Sequence, residues 1–131
     1  MKKNFTLLHS LGLCLLLGAA NVYADVALES DQQIVGTWRL EFSKKNQDTA
    51  KVVERSDTWV IEKGKLLVKG IEHSGNRPYD AVPVNYIIED GLFKVALGRP
   101  GKFDVYSLVE RSGDVMVLKD KMGILYHFKK K

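Results

Sequence analysis

The chain has 131 residues, with 20 lysines and arginines against 16 acids, one cysteine and three prolines. That length is one domain, and 45% apolar with 27% charged residues excludes a disordered or collagen-like chain. No run reaches the roughly 18 apolar residues of a spanning helix, which excludes an integral helical membrane protein.

The first predicted element is a leader. Lys2 and Lys3 precede an apolar stretch from about Phe5 to Ala20, and Val22-Tyr23-Ala24 places small residues where a signal peptidase reads them. Cleavage is expected after Ala24, which leaves a periplasmic or secreted domain over 25–131. The rivals are a retained anchor, for which Leu11 to Ala20 is short, and a lipoprotein at Cys14, where Leu13 is a large neighbour. Removing 1–24 leaves eighteen cations against sixteen acids, a charge of +2, and no cysteine. The domain then has no disulfide and no thiolate metal ligand.

Ser30 to Gln33 fits one short helical turn capped by Ser30. Strands follow, marked by period-two alternation. Trp38, Leu40 and Phe42 share one face of the first strand, and Thr37, Arg39 and Glu41 the other. Ser43 to Asp57 is a long polar connection whose Ala50 to Arg55 part fits a strand or a helical turn. Val82, Val84, Tyr86 and Ile88 form the next clear face, then Phe93, Val95 and Leu97, then Phe103, Val105, Ser107 and Val109, then Ile124, Tyr126 and Phe128. One apolar face per strand means antiparallel sheet. Glycines 91, 101, 113 and 123 recur at intervals of 10, 12 and 10, the rhythm of successive hairpins.

The fold class is therefore all-β, an antiparallel up-and-down meander of about eight strands. Closure into a barrel removes its edges. A β-sandwich is the alternative, but it needs longer crossing connections.

Ile34-Val35-Gly36-Thr37-Trp38 resembles the Gly-x-Trp signature that opens the first strand of lipocalins and related calycins. The resemblance implies structural roles for Gly36 and Trp38, with a short helical turn closing the barrel floor and the tryptophan packing across it. Phe103-Asp104-Val105-Tyr106 echoes the family's second motif. The late arginine that covers the tryptophan in many members is missing, and Lys129 to Lys131 are the only late cations.

The chemistry-bearing residues are few. After the leader only His73 and His127 remain, and no nucleophile elbow, phosphate loop or zincin helix is present. Ser74 follows His73 directly, which puts the two on opposite faces of a strand. No enzyme activity is expected. Glu72, His73, Asp80 and His127 are acceptable metal ligands but lack a spacing motif, so neither a metal nor another cofactor is expected. The low net charge points away from nucleic acid.

Two binding readings remain. In the first, Trp59, Tyr86, Phe93 and Tyr126 wall a pocket for a small apolar or amphipathic ligand at the open barrel end, with Ser107 as a polar group. The Tyr86 hydroxyl then meets a wet cavity; in a filled barrel it meets a protein acceptor instead. In the second, the loop Ser74 to Asp80 binds a protein partner through Arg77, Tyr79 and Asp80, as a periplasmic inhibitor or adaptor would.

Overall fold

The computed structural model describes residues 25–45, 51–75 and 77–131. The expected leader, with Cys14 and the Ala24 site, lies outside the described residues.

A short 3-10 turn at Asp31–Gln33 precedes the first strand. Ser30 caps it: its hydroxyl accepts from the Gln32 amide at 3.0 Å, and the Gln33 side chain reaches back to the Ser30 amide at 3.2 Å. This reciprocal box satisfies donors that a turn this short cannot pair internally.

Nine strands follow: β1 (Gly36–Lys44), β2 (Val52–Glu54), β3 (Thr58–Glu62), β4 (Lys65–Lys69), β5 (Val84–Glu89), β6 (Leu92–Ala96), β7 (Phe103–Ser112), β8 (Val115–Asp120) and β9 (Leu125–Lys130). All neighbours are antiparallel, and β9 returns to pair with β1. Eight strands thus close a barrel, as the meander pattern requires. The extra strand is β2, which pairs with the end of β1 through Phe42, Ser43 and Lys44. The ambiguous segment before Asp57 is therefore extended.

Tight turns hold the hairpins in register. Asp90 and Gly91 both have positive φ, 56° and 75°. That pair is what a two-residue turn needs to match the twist of the flanking strands.

An up-and-down barrel sends alternate connections to opposite ends. The 3-10 turn and the tight turns at 63–64, 90–91 and 113–114 share the floor end with Lys131. The chain leaves β1, β4, β6 and β8 at the other, open end, where the described parts of connections 45–51, 70–83, 97–102 and 121–124 lie.

The interior is packed with side chains. Trp38, Leu40, Ile61, Phe93, Leu108, Met116, Leu118 and Phe128 are almost fully buried in one cluster. Aromatic rings run through it in edge contacts: Tyr86 on Phe93 at 5.0 Å, Trp59 on Phe128 at 4.9 Å, Trp59 on Tyr106 at 5.9 Å and Tyr106 on Tyr126 at 5.8 Å.

Two strands depart from simple alternation. On β1, Leu40 pairs with Phe128 but Phe42 pairs with His127, so Glu41 is an extra residue. A bulge reverses the side-chain phase beyond it. Ser43 is buried, and Phe42, expected beside Trp38 and Leu40, instead stacks on His127 with ring centroids 4.3 Å apart. Burial there, and then the nearby Lys44 charge, hold the His127 imidazole below its usual pKa.

On β7 the predicted face is the wrong one. Tyr106 packs on Trp59 and Phe93, and Leu108 is fully buried, so Asp104, Tyr106 and Leu108 point inward. Val105 and Ser107 point outward, Ser107 opposite Lys119. The reason is a second apolar cluster of Val109, Val117 and Leu125 outside the main core. A bulge at Val109 re-phases the strand between Leu108 and Glu110. With apolar residues on both faces, counting them does not identify the inner one. Val82 is likewise corrected: it precedes β5 and is 79% exposed.

Candidate functional site

The two ends of the barrel differ in character. At the floor, Trp38 is fully buried and its indole N–H donates to the Ile34 carbonyl at 2.9 Å. Arg111 lies over the ring, 4.8 Å from its centroid, and donates to the Gln33 carbonyl at 2.8 Å and the Gly113 carbonyl at 2.7 Å. Lys130 crosses the same ring at 5.4 Å. A Cβ at Gly36 would stand 3.2 Å from the Lys130 side chain, so glycine leaves room for that crossing. An arginine does cover the tryptophan, supplied by β7, and Lys130 of the last strand joins it over the same ring. Sequence reasoning missed Arg111 because an arginine beside a turn glycine reads as hairpin chemistry.

Tyr86 belongs to this end as well. Its hydroxyl donates to the Glu62 carbonyl at 2.6 Å, and its amide donates to the Gly64 carbonyl at 3.1 Å. Burial, first among its causes, raises the phenol pKa. The hydroxyl meets a protein acceptor, not a wet cavity. Tyr86→Phe is therefore expected to lower stability by about 0.5–1.5 kcal/mol, the usual net worth of one hydrogen bond. Denaturant unfolding of the two proteins measures it.

At the open end, a cleft of about 220 Å³ enters between β4 and the β5–β6 hairpin. Trp59, Leu66, Val68, Val84, Val95 and Tyr106 form its walls, Ala81, Val82 and Leu97 its rim, and Asp104 is its charged lining residue. The site arises where the β4–β5 ladder is thin: only Lys65 with Asn85 and Leu66 with Val84 are paired. Beyond them the chain leaves β4 and returns through 70–83, bonded back by the Ala81 amide to the Val68 carbonyl at 2.8 Å.

Trp59 is 7% exposed, and its indole N–H is buried without a partner among the described residues. A buried unpaired donor costs roughly 1–3 kcal/mol.

Polar groups gather beside the cleft. Arg55 forms a two-pronged pair with Asp57, at 2.7 Å and 3.3 Å, and Asp57 is buried. Tyr126 donates to Asp120 at 2.9 Å, while the other Asp120 oxygen accepts from the Met122 and Ile124 amides. Burial, then the Asp120 hydrogen bond and charge, push the Tyr126 phenol up to about 12. Burial and the Asp104 charge also raise Tyr106. Both phenols are thus neutral donors at physiological pH.

Of the residues expected to hold a ligand, Trp59 lines the cleft. Phe93 and Tyr86 fill the core below it, Tyr126 packs on Tyr106 behind it, and Ser107 lies on the outer surface. Leu66, Val68, Val84, Val95, Asp104 and Tyr106 are the lining residues that the sequence reading did not name for the ligand. The alternation of Tyr106 with Leu108 was the available signal for the last pair.

The loop residues Arg77, Tyr79 and Asp80 lie on the 70–83 connection. Ile71 and Tyr79 exchange both backbone hydrogen bonds, at 2.8 Å and 3.0 Å, and Asp80 accepts from the Gly70 amide at 3.0 Å. His73 packs edge-on against Tyr79, whereas His127 is stacked on Phe42. The two histidines have different surroundings, and no group of three His, Cys, Asp or Glu side chains fit to hold a metal occurs among the described residues.

No family model matches the chain, and no curated protein matches it. Among solved structures, an uncharacterized protein from Bacteroides eggerthii is similar, with a TM-score of 0.58 at 15% identity. The match covers 74% of this chain and 98% of that one. A likeness at that identity supports the barrel fold and nothing more specific.

Proposed function

We propose that the protein is an exported, non-enzymatic, lipocalin-like carrier that holds a small apolar or amphipathic ligand in the open-end cleft. The observation that carries this reading is the cleft itself: apolar walls that include Trp59, and one carboxylate. Pockets that enclose a drug-sized molecule start at roughly 300 Å³. At about 220 Å³ the cleft suits a smaller ligand, or the apolar end of one whose polar end stays in water.

Binding of the neutral apolar fluorophore N-phenyl-1-naphthylamine tests the reading. Ala81→Trp fills the rim without removing a backbone bond, so it should weaken binding roughly tenfold or more by overfilling the site. Unchanged binding in that variant, or no binding to the parent, rejects the cleft as a ligand site. Native mass spectrometry of protein from its own host reads the retained ligand and the expected Asp25 N-terminus together.

The ordered 70–83 connection supports a second reading, in which Arg77 and the half-exposed Tyr79 meet a protein partner. Loss of a captured partner in Arg77→Ala or Tyr79→Ala, with fluorophore binding intact, would favour it.

A further inference from the structure

The open end carries a charge and an apolar character that extend beyond the cleft. Among the described residues, its four connections hold six exposed cations, Lys45, Lys51, Arg77, Arg99, Lys102 and Lys121, against Glu72 and Asp80, with Asp104 of the cleft as a further carboxylate. None of the six forms an ion pair with another described residue. The floor end is balanced instead, with Glu29, Asp31, Asp90 and Asp114 against Lys63, Arg111, Lys130 and Lys131. The barrel is therefore polarised along its axis.

The same connections expose apolar side chains where turns ordinarily carry polar ones. Val82 is 79% exposed, Met122 76% and Leu97 46%. Val82 and Leu97 border one cleft, so they stand together at the mouth. Exposed apolar tips among unpaired cations fit a surface that is negative outside and apolar beneath. A second copy of the chain does not fit, because two cationic ends would repel.

We propose that the open end docks on an anionic lipid surface, with its cations on the headgroups and Val82, Leu97 and Met122 in the acyl boundary. Docking in this orientation points the cleft at the lipid. It does not require the cleft to be occupied.

Sedimentation of the protein with phosphatidylcholine vesicles, with and without phosphatidylglycerol, tests it. Retention is expected only with phosphatidylglycerol and should fall steeply with salt. Removing one cation, as in Arg99→Gln or Lys102→Gln, should weaken retention about fivefold, the worth of one basic residue at an anionic surface. Val82→Asp and Met122→Asp should weaken it at least as much with unchanged melting temperature, since both side chains are solvent-exposed. Lys63→Gln, the same charge change at the floor, should leave retention unchanged.

Equal retention on neutral vesicles, no retention at all, or an effect of Lys63→Gln as large as that of Lys102→Gln would overturn the proposal. So would capture of an acidic protein through this end with no vesicle binding. Ala81→Trp separates it from the ligand reading: that variant should lose the fluorophore and keep the vesicles.

Discussion

Trp38→Ala is expected to destabilise the fold by about 3–5 kcal/mol, the cost of a large aromatic truncation in a core that cannot fully collapse. In a domain of this size that is a fall in melting temperature on the order of 15 °C. The size of the effect follows from what the ring touches. Trp38 is fully buried, faces Trp59 across the β1–β3 ladder, and donates to the Ile34 carbonyl that ends the 3-10 turn. Alanine would leave a cavity under Arg111 and free that carbonyl. Thermal melts and denaturant titration measure the loss; a variant melting within a few degrees of the parent would show that the floor does not depend on this ring.

Arg111→Leu should have the next largest effect, about 2–4 kcal/mol. Hydrogen bonds to a charged donor are worth roughly 1.5–3 kcal/mol, and a cation over an indole adds roughly 0.5–2 kcal/mol. These terms overlap, because the same guanidinium makes all the contacts. Arg111→Lys separates them: the charge can stay over the ring, but a lysine cannot reproduce the two-directional bonding to Gln33 and Gly113. It should fall between the parent and leucine in a denaturant titration. Equal loss in both variants would assign the whole effect to the carbonyl contacts.

The fold was largely legible because most strands bury one face. Tyr86, Phe93, Val95 and Phe128 fall where alternation puts them, and the turn glycines mark the hairpins. Legibility failed where the backbone slips by one residue. The bulges at Glu41 and Val109 leave no compositional mark, yet each exchanges inside for outside beyond it. That exchange turned Phe42 outward, and misphasing of β7 hid Asp104 and Tyr106. The site was less legible than the fold for a related reason. The cleft owes its existence to a short ladder, and ladder length depends on partners far apart in sequence. The Arg111–Trp38 contact spans the chain in the same way, and no local pattern announces it.

The seam between β4 and β5 has a mechanical consequence. Everywhere else around the barrel, strands are joined by longer ladders, so prising two apart would break several hydrogen bonds at once. Here two paired positions and the Tyr86 contacts clamp the floor end, while above them the Ala81 amide on Val68, the Ile71–Tyr79 pair and Asp80 on Gly70 tie the returning connection to β4. The wall therefore behaves like a clothes peg. The sheet can splay at the mouth about a fixed pivot near Tyr86 while both paired positions of the β4–β5 ladder stay bonded. A rigid, filled core and an adaptable opening coexist because the compliance is confined to one gap in an otherwise continuous ring of strands.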